Sequence, residues 1–186
     1  MRLFRCRVTN TFRLLYVFIV IEHRSRRLVH CNVKAHPSAS WTRQQLREAV
    51  GYENRYEYLI HDRDSIFSFA SDESVGHPGL RVLTTLSRCP TANAICERVI
   101  GTIRRECLDW LIRLSEAHLR LVLKSWISHY NQGRAHIALG PDVPDPPASF
   151  VLPPFRRPRN RLGDFESLCS KAILGDLHHE YSLAPA

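Results

Sequence analysis

Two carboxylates occupy positions from which a side chain can do chemistry. Asp62 is the first aspartate of the chain and directly follows an apolar run that ends at Ile60 and His61. Glu97 lies on the polar side of a periodic segment, with 34 residues between it and Asp62. Carboxylates from a strand end and a neighbouring helix can converge on a hard divalent cation and support phosphoryl transfer. On spacing alone, a solvated turn at Asp62 and a helix-dipole partner at Glu97 are the commoner explanations.

Glu97 belongs to the strongest helical pattern of the chain. Apolar residues recur there at three- and four-residue intervals, which predicts one buried helix face. These residues are Cys96, Val99, Ile100, Ile103, Cys107, Trp110 and Leu111. Glu97, Gly101, Arg104 and Arg105 share the opposite face, and Asn93 is the expected N-cap.

The other predicted elements would position this helix. Residues rich in Val, Ile, Tyr and Phe predict a hairpin and two brief strands, and helical spacing predicts two further helices. In chain order they are the hairpin Phe12–Ile21 with Leu28–Val33, a helix over Trp41–Val50, strands at Tyr56–Ile60 and Leu80–Thr85, and a helix over Ser115–Tyr130. This order predicts a mixed α/β layer, and Ala172–Tyr181 adds a last short strand or turn.

The length and charge of the chain narrow its class. A chain of 186 residues with 44% hydrophobic and 24% charged residues is an ordinary globular chain, which sets aside disordered, collagen-like and membrane-embedded classes. We expect a core over residues 1–140 and a Pro/Arg-rich extension over residues 141–186. Only three of the 26 Lys+Arg residues are lysines, and the formal net charge is +8. Arginine pairs well with phosphate, so a polyanionic partner is the first hypothesis.

Cysteine usage and hydropathy indicate a compartment. The six cysteines form no C-x-x-C pair, which argues against a zinc module and favours reduced thiols. The longest clean apolar run, Leu14–Ile21, is too short to span a bilayer, and no small-residue cleavage site follows it. The sequence therefore predicts a cytoplasmic protein with no membrane partner.

Three blocks of the chain resemble successive motifs of the integrase catalytic core, which retroviral integrases share with many insertion-sequence transposases. The blocks are Tyr58–Phe67, Pro90–Arg98 and His129–Arg134, and the resemblance covers about residues 8 to 150. It implies a ribonuclease H-like fold, with a central mixed β-sheet flanked by α-helices. It also implies Mg²⁺ or Mn²⁺ as cofactor, and DNA as substrate, both element ends and target DNA, handled by a homo-oligomer.

The resemblance also implies roles for individual residues. The second aspartate of the family matches Asp62 and its glutamate matches Glu97, which makes both catalytic metal ligands. Arg98, Arg104 and Arg105 lie on or beside the helix that meets DNA in the family. Asp64 stands where the family has a small residue and is not expected to be a ligand.

The first aspartate of the family has no counterpart. Register places it near Leu3 or Arg2, and Glu22 is the only carboxylate among the first 47 residues. We therefore expect a degenerate first strand, from a truncated or frame-shifted beginning, and poor metal alignment with two ligands in place of three.

Three functions follow from these observations. The first is a transposase or integrase core of a mobile element that acts in DNA integration and recombination by metal-dependent strand transfer. The second is a catalytically inactive remnant that retains DNA binding or oligomerisation. The third, ranked lower, is a metal-dependent nuclease on the same fold. Whether the chain is an enzyme is left open by its sequence.

Overall fold

The computed structural model describes residues 1–7, 13–51, 56–61, 80–84, 93–140, 142–146 and 168–183. The strands are β1 (Arg2–Arg7), β2 (Leu14–Ile21), β3 (Leu28–Lys34), β4 (Tyr58–His61), β5 (Arg81–Thr84), β6 (Leu168–Ile173) and β7 (His178–Leu183). The helices are α1 (Ala39–Val50), α2 (Ala94–Glu106) and α3 (Glu116–Gln132), with short 3-10 turns at Leu108–Trp110 and Ile137–Leu139.

The chain divides into two compact units, Met1–Leu123 and Lys124–Ala186. The division falls inside α3. The core predicted over residues 1–140 and the extension predicted over residues 141–186 stay predictions.

The first unit contains the predicted hairpin and a parallel strand pair. β2 and β3 pair antiparallel as expected, and β1 adds an antiparallel strand on the other side of β2. β4 and β5 pair in parallel. The backbone nitrogen of Met1 donates to the Ile60 carbonyl at 2.6 Å, which places the start of β1 beside β4. β1 is a regular six-residue strand, and the degeneracy expected of the first strand stays a prediction.

Side chains of β1 alternate between the two faces of the sheet, as the period of two for a strand requires. On one face, Met1 and Leu3 pack with Phe18 and Leu46 in a buried cluster. Leu46 belongs to α1, so α1 covers this face. On the other face, the Arg104 guanidinium of α2 lies over the Phe4 ring at 5.8 Å, and Arg2 reaches Glu97. The odd and even positions of β1 thus face different helices.

The helices form largely where the spacing predicted them. Cys96, Val99, Ile100 and Ile103 are buried along α2, and the predicted stripe of α3 is buried from Leu119 to Tyr130. One expectation was wrong, and another holds for the position of the residue only. Trp110 is 71% exposed because α2 ends at Glu106 and the chain turns before reaching it. Asn93 is at the N-cap position, but its side chain makes no capping hydrogen bond, because its backbone is not extended there.

The beginning of α3 is fixed to β3 within the first unit. Arg120 donates from Nη2 to the Val33 carbonyl at 2.6 Å and from Nε to Asn32 Oδ1 at 3.1 Å. It also pairs with Glu116 one turn earlier, and Glu116 accepts from the Ala35 backbone N–H. These bonds set the position at which α3 leaves the sheet.

The second unit holds the end of α3 and a hairpin. β6 and β7 pair antiparallel, where the sequence predicted one short strand or turn. His129 Nδ1 lies 3.0 Å from Glu180 Oε1, and its ring stacks on His178 with centroids 4.9 Å apart. These contacts hold β7 against the end of the helix.

Several predicted features lie outside the described residues, among them Asp62, Asp64, Cys89 and the basic cluster near Arg156. In the described part of the chain, no helix is both long enough and apolar enough to cross a membrane.

Candidate functional site

Glu97 is presented by α2 on its exposed side. The buried residues Cys96, Val99, Ile100 and Ile103 fix one face of the helix against the unit, so the intervening positions point outward. Glu97 lies in the first turn of α2, where a carboxylate interacts favourably with the helix dipole, and 48% of its side chain is exposed. The sequence predicted this placement, and the structure confirms it.

The carboxylate of Glu97 is bound by an arginine of the first strand. Arg2 Nη1 donates to Glu97 Oε1 at 2.5 Å, joining β1 to α2 across the chain. Arg2 and Leu3 are the two positions where the family resemblance expects the missing aspartate. Leu3 packs in the core under α1, whereas Arg2 faces α2. A cation therefore occupies the position on the α2 side where a carboxylate was expected.

The other predicted ligand, Asp62, follows β4 in the sequence. Asp62 lies outside the described residues, and β4 is described as far as His61, which is 1% exposed. The bond between Met1 and Ile60 puts the start of β1 beside the end of β4, so Arg2 follows directly after the point of contact. The structure thus brings Arg2 and Glu97 together and leaves the role predicted for Asp62 as a prediction.

The predicted nucleic-acid-binding arginines are all exposed on α2, and these are Arg98, Arg104 and Arg105. The Arg105 guanidinium folds back over Gly101, where an added Cβ would lie 3.0 Å from Nη1. The Arg105 carbonyl accepts a hydrogen bond from the Trp110 indole at 2.7 Å. Arg104 stays near β1 through its contact with Phe4. The exposed side of α2 therefore carries these three guanidinium groups and the Glu97 carboxylate, which is paired with the guanidinium of Arg2.

The thiols beside this site are protonated groups in apolar surroundings. Burial raises the pKa of Cys107 to about 12, and the neighbouring Cys6 thiol raises it further, while Arg113 lowers it. Burial also raises the pKa of Cys6, against lowering by Arg113 and Arg104. These cysteines are core residues at the α2 side of β1, and neither is a candidate nucleophile.

The described residues do not fit a divalent cation. They contain no group of three or more His, Cys, Asp or Glu side chains placed to share a metal. Mg²⁺ needs oxygen ligands at short distance. Of the two predicted ligands, Glu97 is described, and its carboxylate already accepts a hydrogen bond from the Arg2 guanidinium. No catalytic step through a metal is therefore derived for this site.

A cavity of about 560 Å³ opens in the first unit on the α1 side of this region. Its lining includes Val20, Val50, Leu59 and Leu80, together with Cys96 at the start of α2. The lining is mainly apolar. The cavity reaches the first turn of α2, which also carries Glu97, but the described residues that line it form no cluster of metal ligands.

Sequence reasoning missed the partner of Glu97. The sequence shows that no aspartate lies near Arg2, and the structure adds that Arg2 itself binds Glu97. The signal in the sequence is a basic residue near the position expected beside the predicted ligand Glu97, where a cation can neutralise a carboxylate. What the sequence lacked was the alternation on β1 that sends Arg2, rather than Leu3, towards α2.

Comparison with known proteins defines the class of this fold. Residues 79–144 match the family model described as Integrase core domain, a segment that contains β5, α2 and α3. No curated protein matches the sequence significantly. The fold is similar to a chain in the cryo-electron-microscopy structure of the simian T-cell lymphotropic virus intasome in complex with PP2A regulatory subunit B56 gamma. The TM-score is 0.60 at 14% identity, over 84% of this chain and 56% of that chain.

A second solved structure similar to this chain is the catalytic core domain of BIV integrase in crystal form I. It has a TM-score of 0.45 and 15% identity, with 76% of this chain and 88% of that chain covered. The chain spans a little over half, 56%, of the length of the intasome chain it matches. The predicted resemblance to the integrase catalytic core is confirmed, and the fold class is α/β and ribonuclease H-like, as predicted.

Proposed function

We propose that this protein acts on DNA, in the integration and recombination reactions of a mobile element, as an integrase-type core that binds the duplex through arginine. The integrase-core match over residues 79–144 and the intasome-like fold support this role. The partners are element ends and target DNA. A cytoplasmic location is kept as a prediction from the sequence.

The observation that carries the proposal is the exposed side of α2. Arg98, Arg104 and Arg105 project there from a helix inside the matched segment. Guanidinium groups bind phosphate oxygens in a fork geometry, and a row of them along one helix follows a phosphate backbone. Such contacts are independent of base sequence and are weakened by salt, because binding releases counterions.

The test is a titration of duplex DNA with the full chain in EDTA, followed by fluorescence anisotropy. We expect weak binding below about 100 mM salt that falls linearly in a double-logarithmic plot. Arg104→Gln combined with Arg105→Gln should reduce the slope by about 0.9 for each phosphate that the variant no longer neutralises. The matched control is Arg24→Gln with Arg47→Gln, which removes two exposed arginines outside α2. Binding that does not respond to salt in this range contradicts the proposal.

Assembly into a homo-oligomer is part of the same proposal. Several large apolar side chains are exposed around the end of α2 and along α3, which is typical of surfaces that contact another subunit. They are Trp110, Ile112, Leu114 and Leu121, with exposures of 71%, 66%, 52% and 68%. Light scattering on the purified chain measures the oligomer directly.

Metal-dependent strand transfer is the second candidate, with Asp62 and Glu97 sharing Mg²⁺ or Mn²⁺. The half-exposed carboxylate of Glu97 in the first turn of α2 favours it. The Arg2–Glu97 pair is evidence against strand transfer, because a guanidinium already binds the carboxylate, and it favours a core that binds DNA without catalysis. A strand-transfer assay with either metal separates the two, since activity lost in Asp62→Asn establishes the catalytic form. Hydrolysis without joined products would instead indicate a nuclease.

A further inference from the structure

We propose that Arg2 closes the metal position at Glu97, so that a guanidinium of the protein takes the place that a divalent cation would hold. The inference rests on the proposed integrase-type site and adds to it a device that keeps metal away from α2. In this proposal Arg2 is a positioning residue: it affects metal binding only through the Glu97 carboxylate, which it holds.

The Arg2 side chain contacts the Glu97 carboxylate directly. Arg2 Nη1 lies 2.5 Å from Glu97 Oε1, at the short end of charge-assisted hydrogen bonds. The two side chains are 32% and 48% exposed, so each is partly withdrawn from water by the surface between β1 and α2. The guanidinium therefore competes with a metal ion for this oxygen.

The second step is the anchoring of Arg2. Its backbone pairs with Ile19 in the register of β1 and β2, and the preceding residue bonds to Ile60 of β4. The neighbours Met1 and Leu3 are buried in the core under α1. Because both flanking residues are fixed, the side chain of Arg2 leaves the sheet on the α2 side and remains within reach of Glu97.

The third step is charge. Arg104 and Arg105 are exposed on the same helix as Glu97, and Arg104 lies over Phe4, two residues from Arg2. The Arg2 guanidinium at Glu97 therefore has further cations near it. Because Arg2 balances the charge of the Glu97 carboxylate, the pair has no net charge with which to attract a metal ion. Two unit charges of the same sign a few ångströms apart repel each other even in water.

The experiment is a titration of the metal-free full chain with Mn²⁺, in which electron paramagnetic resonance measures free Mn²⁺. We expect Arg2→Met to bind Mn²⁺ at least about tenfold more tightly than the parent chain, because a positive charge beside the carboxylate is removed. The double variant Arg2→Met with Glu97→Gln should lose that gain. Arg5→Met is the matched control, since it removes an exposed arginine from the same strand on its other face.

A charge-conserving variant guards against a folding defect. Arg2→Lys keeps a cation on β1, and we expect it to bind Mn²⁺ as weakly as the parent chain. The proposal is overturned if Arg2→Met gains no affinity, if its gain survives Glu97→Gln, or if the parent chain already binds Mn²⁺ as tightly. DNA binding in EDTA, measured on the same preparations, reports the proposed function separately, because it requires no metal.

Discussion

Among single residues, two thiols are the most strongly perturbed groups of the described chain. Burial raises the pKa of Cys31 and of Cys107 to about 12, from an ordinary value of 9.0. The thiolate is the reactive form of cysteine, so both residues are held in their unreactive form over the physiological range. Cys169 differs from them, because it is exposed on β6.

We therefore expect iodoacetamide at about pH 8 to alkylate Cys169 well before Cys31 and Cys107. Peptide mass spectrometry over a time course measures each rate. In urea, where the folded environment is lost, the three rates should converge. Equal rates for the three residues in the folded protein would contradict the pKa shifts.

Residues with a local signal were the ones that the sequence could place. Glu97 was assigned to the exposed side of α2 because helical spacing alone determines which positions are buried. Its bond to Arg2 could not be predicted, since it joins residues 95 positions apart and depends on how α2 lies over β1. The ligand role of Asp62 stays a prediction.

Among the helices, α1 shows how one side chain determines where a helix begins. Ser38 has extended backbone angles, and its hydroxyl accepts a hydrogen bond from the Trp41 N–H at 3.2 Å. The helix ends at Gly51, whose positive φ of 66° suits glycine. These signals flank a helix whose residue Leu46 packs under the sheet, so the cap contributes to the stability of the core.

We expect Ser38→Ala to lower the free energy of unfolding by about 0.5 to 2 kcal/mol, because a helix N–H loses its acceptor. Urea denaturation followed by circular dichroism measures the change. Ser40→Ala is the control, since it removes a neighbouring hydroxyl and keeps the bond to Trp41. Equal losses in the two variants would show that Ser38 does not act as a cap.

Elements whose apolar residues recur with one clear period could be predicted from the sequence. The strand β1 could not be predicted in this way. The hairpin of β2 and β3 is local and rich in β-branched residues, so its pairing could be read directly. β1 has apolar residues on both faces, with Leu3 towards α1 and Phe4 towards α2, which removes the alternation that marks a half-buried strand. Its pairing with β2 and the bond from Met1 to Ile60, near the end of β4, complete it as a strand.

In the first unit as a whole, the three-stranded sheet of β1, β2 and β3 has α1 on one face and α2 on the other. This arrangement explains why the expected layer order was right although individual ends shifted. The charged residues are also unevenly distributed along the sequence. Residues 1–30 carry seven arginines against Glu22, and residues 51–80 carry six acids against Arg55 and Arg63. The net charge of +8 is therefore unevenly distributed along the chain.

The stability of the whole protein depends on a few large buried side chains, and two tryptophans provide a matched comparison. Trp126 on α3 is fully buried, with its ring 5.0 Å from that of Tyr130. Its indole N–H has no hydrogen-bond partner within the described part of the chain, so part of the packing gain is offset by desolvation. Trp110 is 71% exposed and hydrogen-bonded to the Arg105 carbonyl.

We expect Trp126→Ala to lower the free energy of unfolding by about 3 kcal/mol, the low end for a buried tryptophan, because removing the unpaired N–H recovers part of the loss. That is a large share of the roughly 5 to 15 kcal/mol that stabilises a typical domain. Trp110→Ala should change it by about 0.5 kcal/mol or less, since little surface is uncovered. Urea denaturation of both variants measures the difference, and losses of equal size would mean that the burial of α3 does not hold in solution.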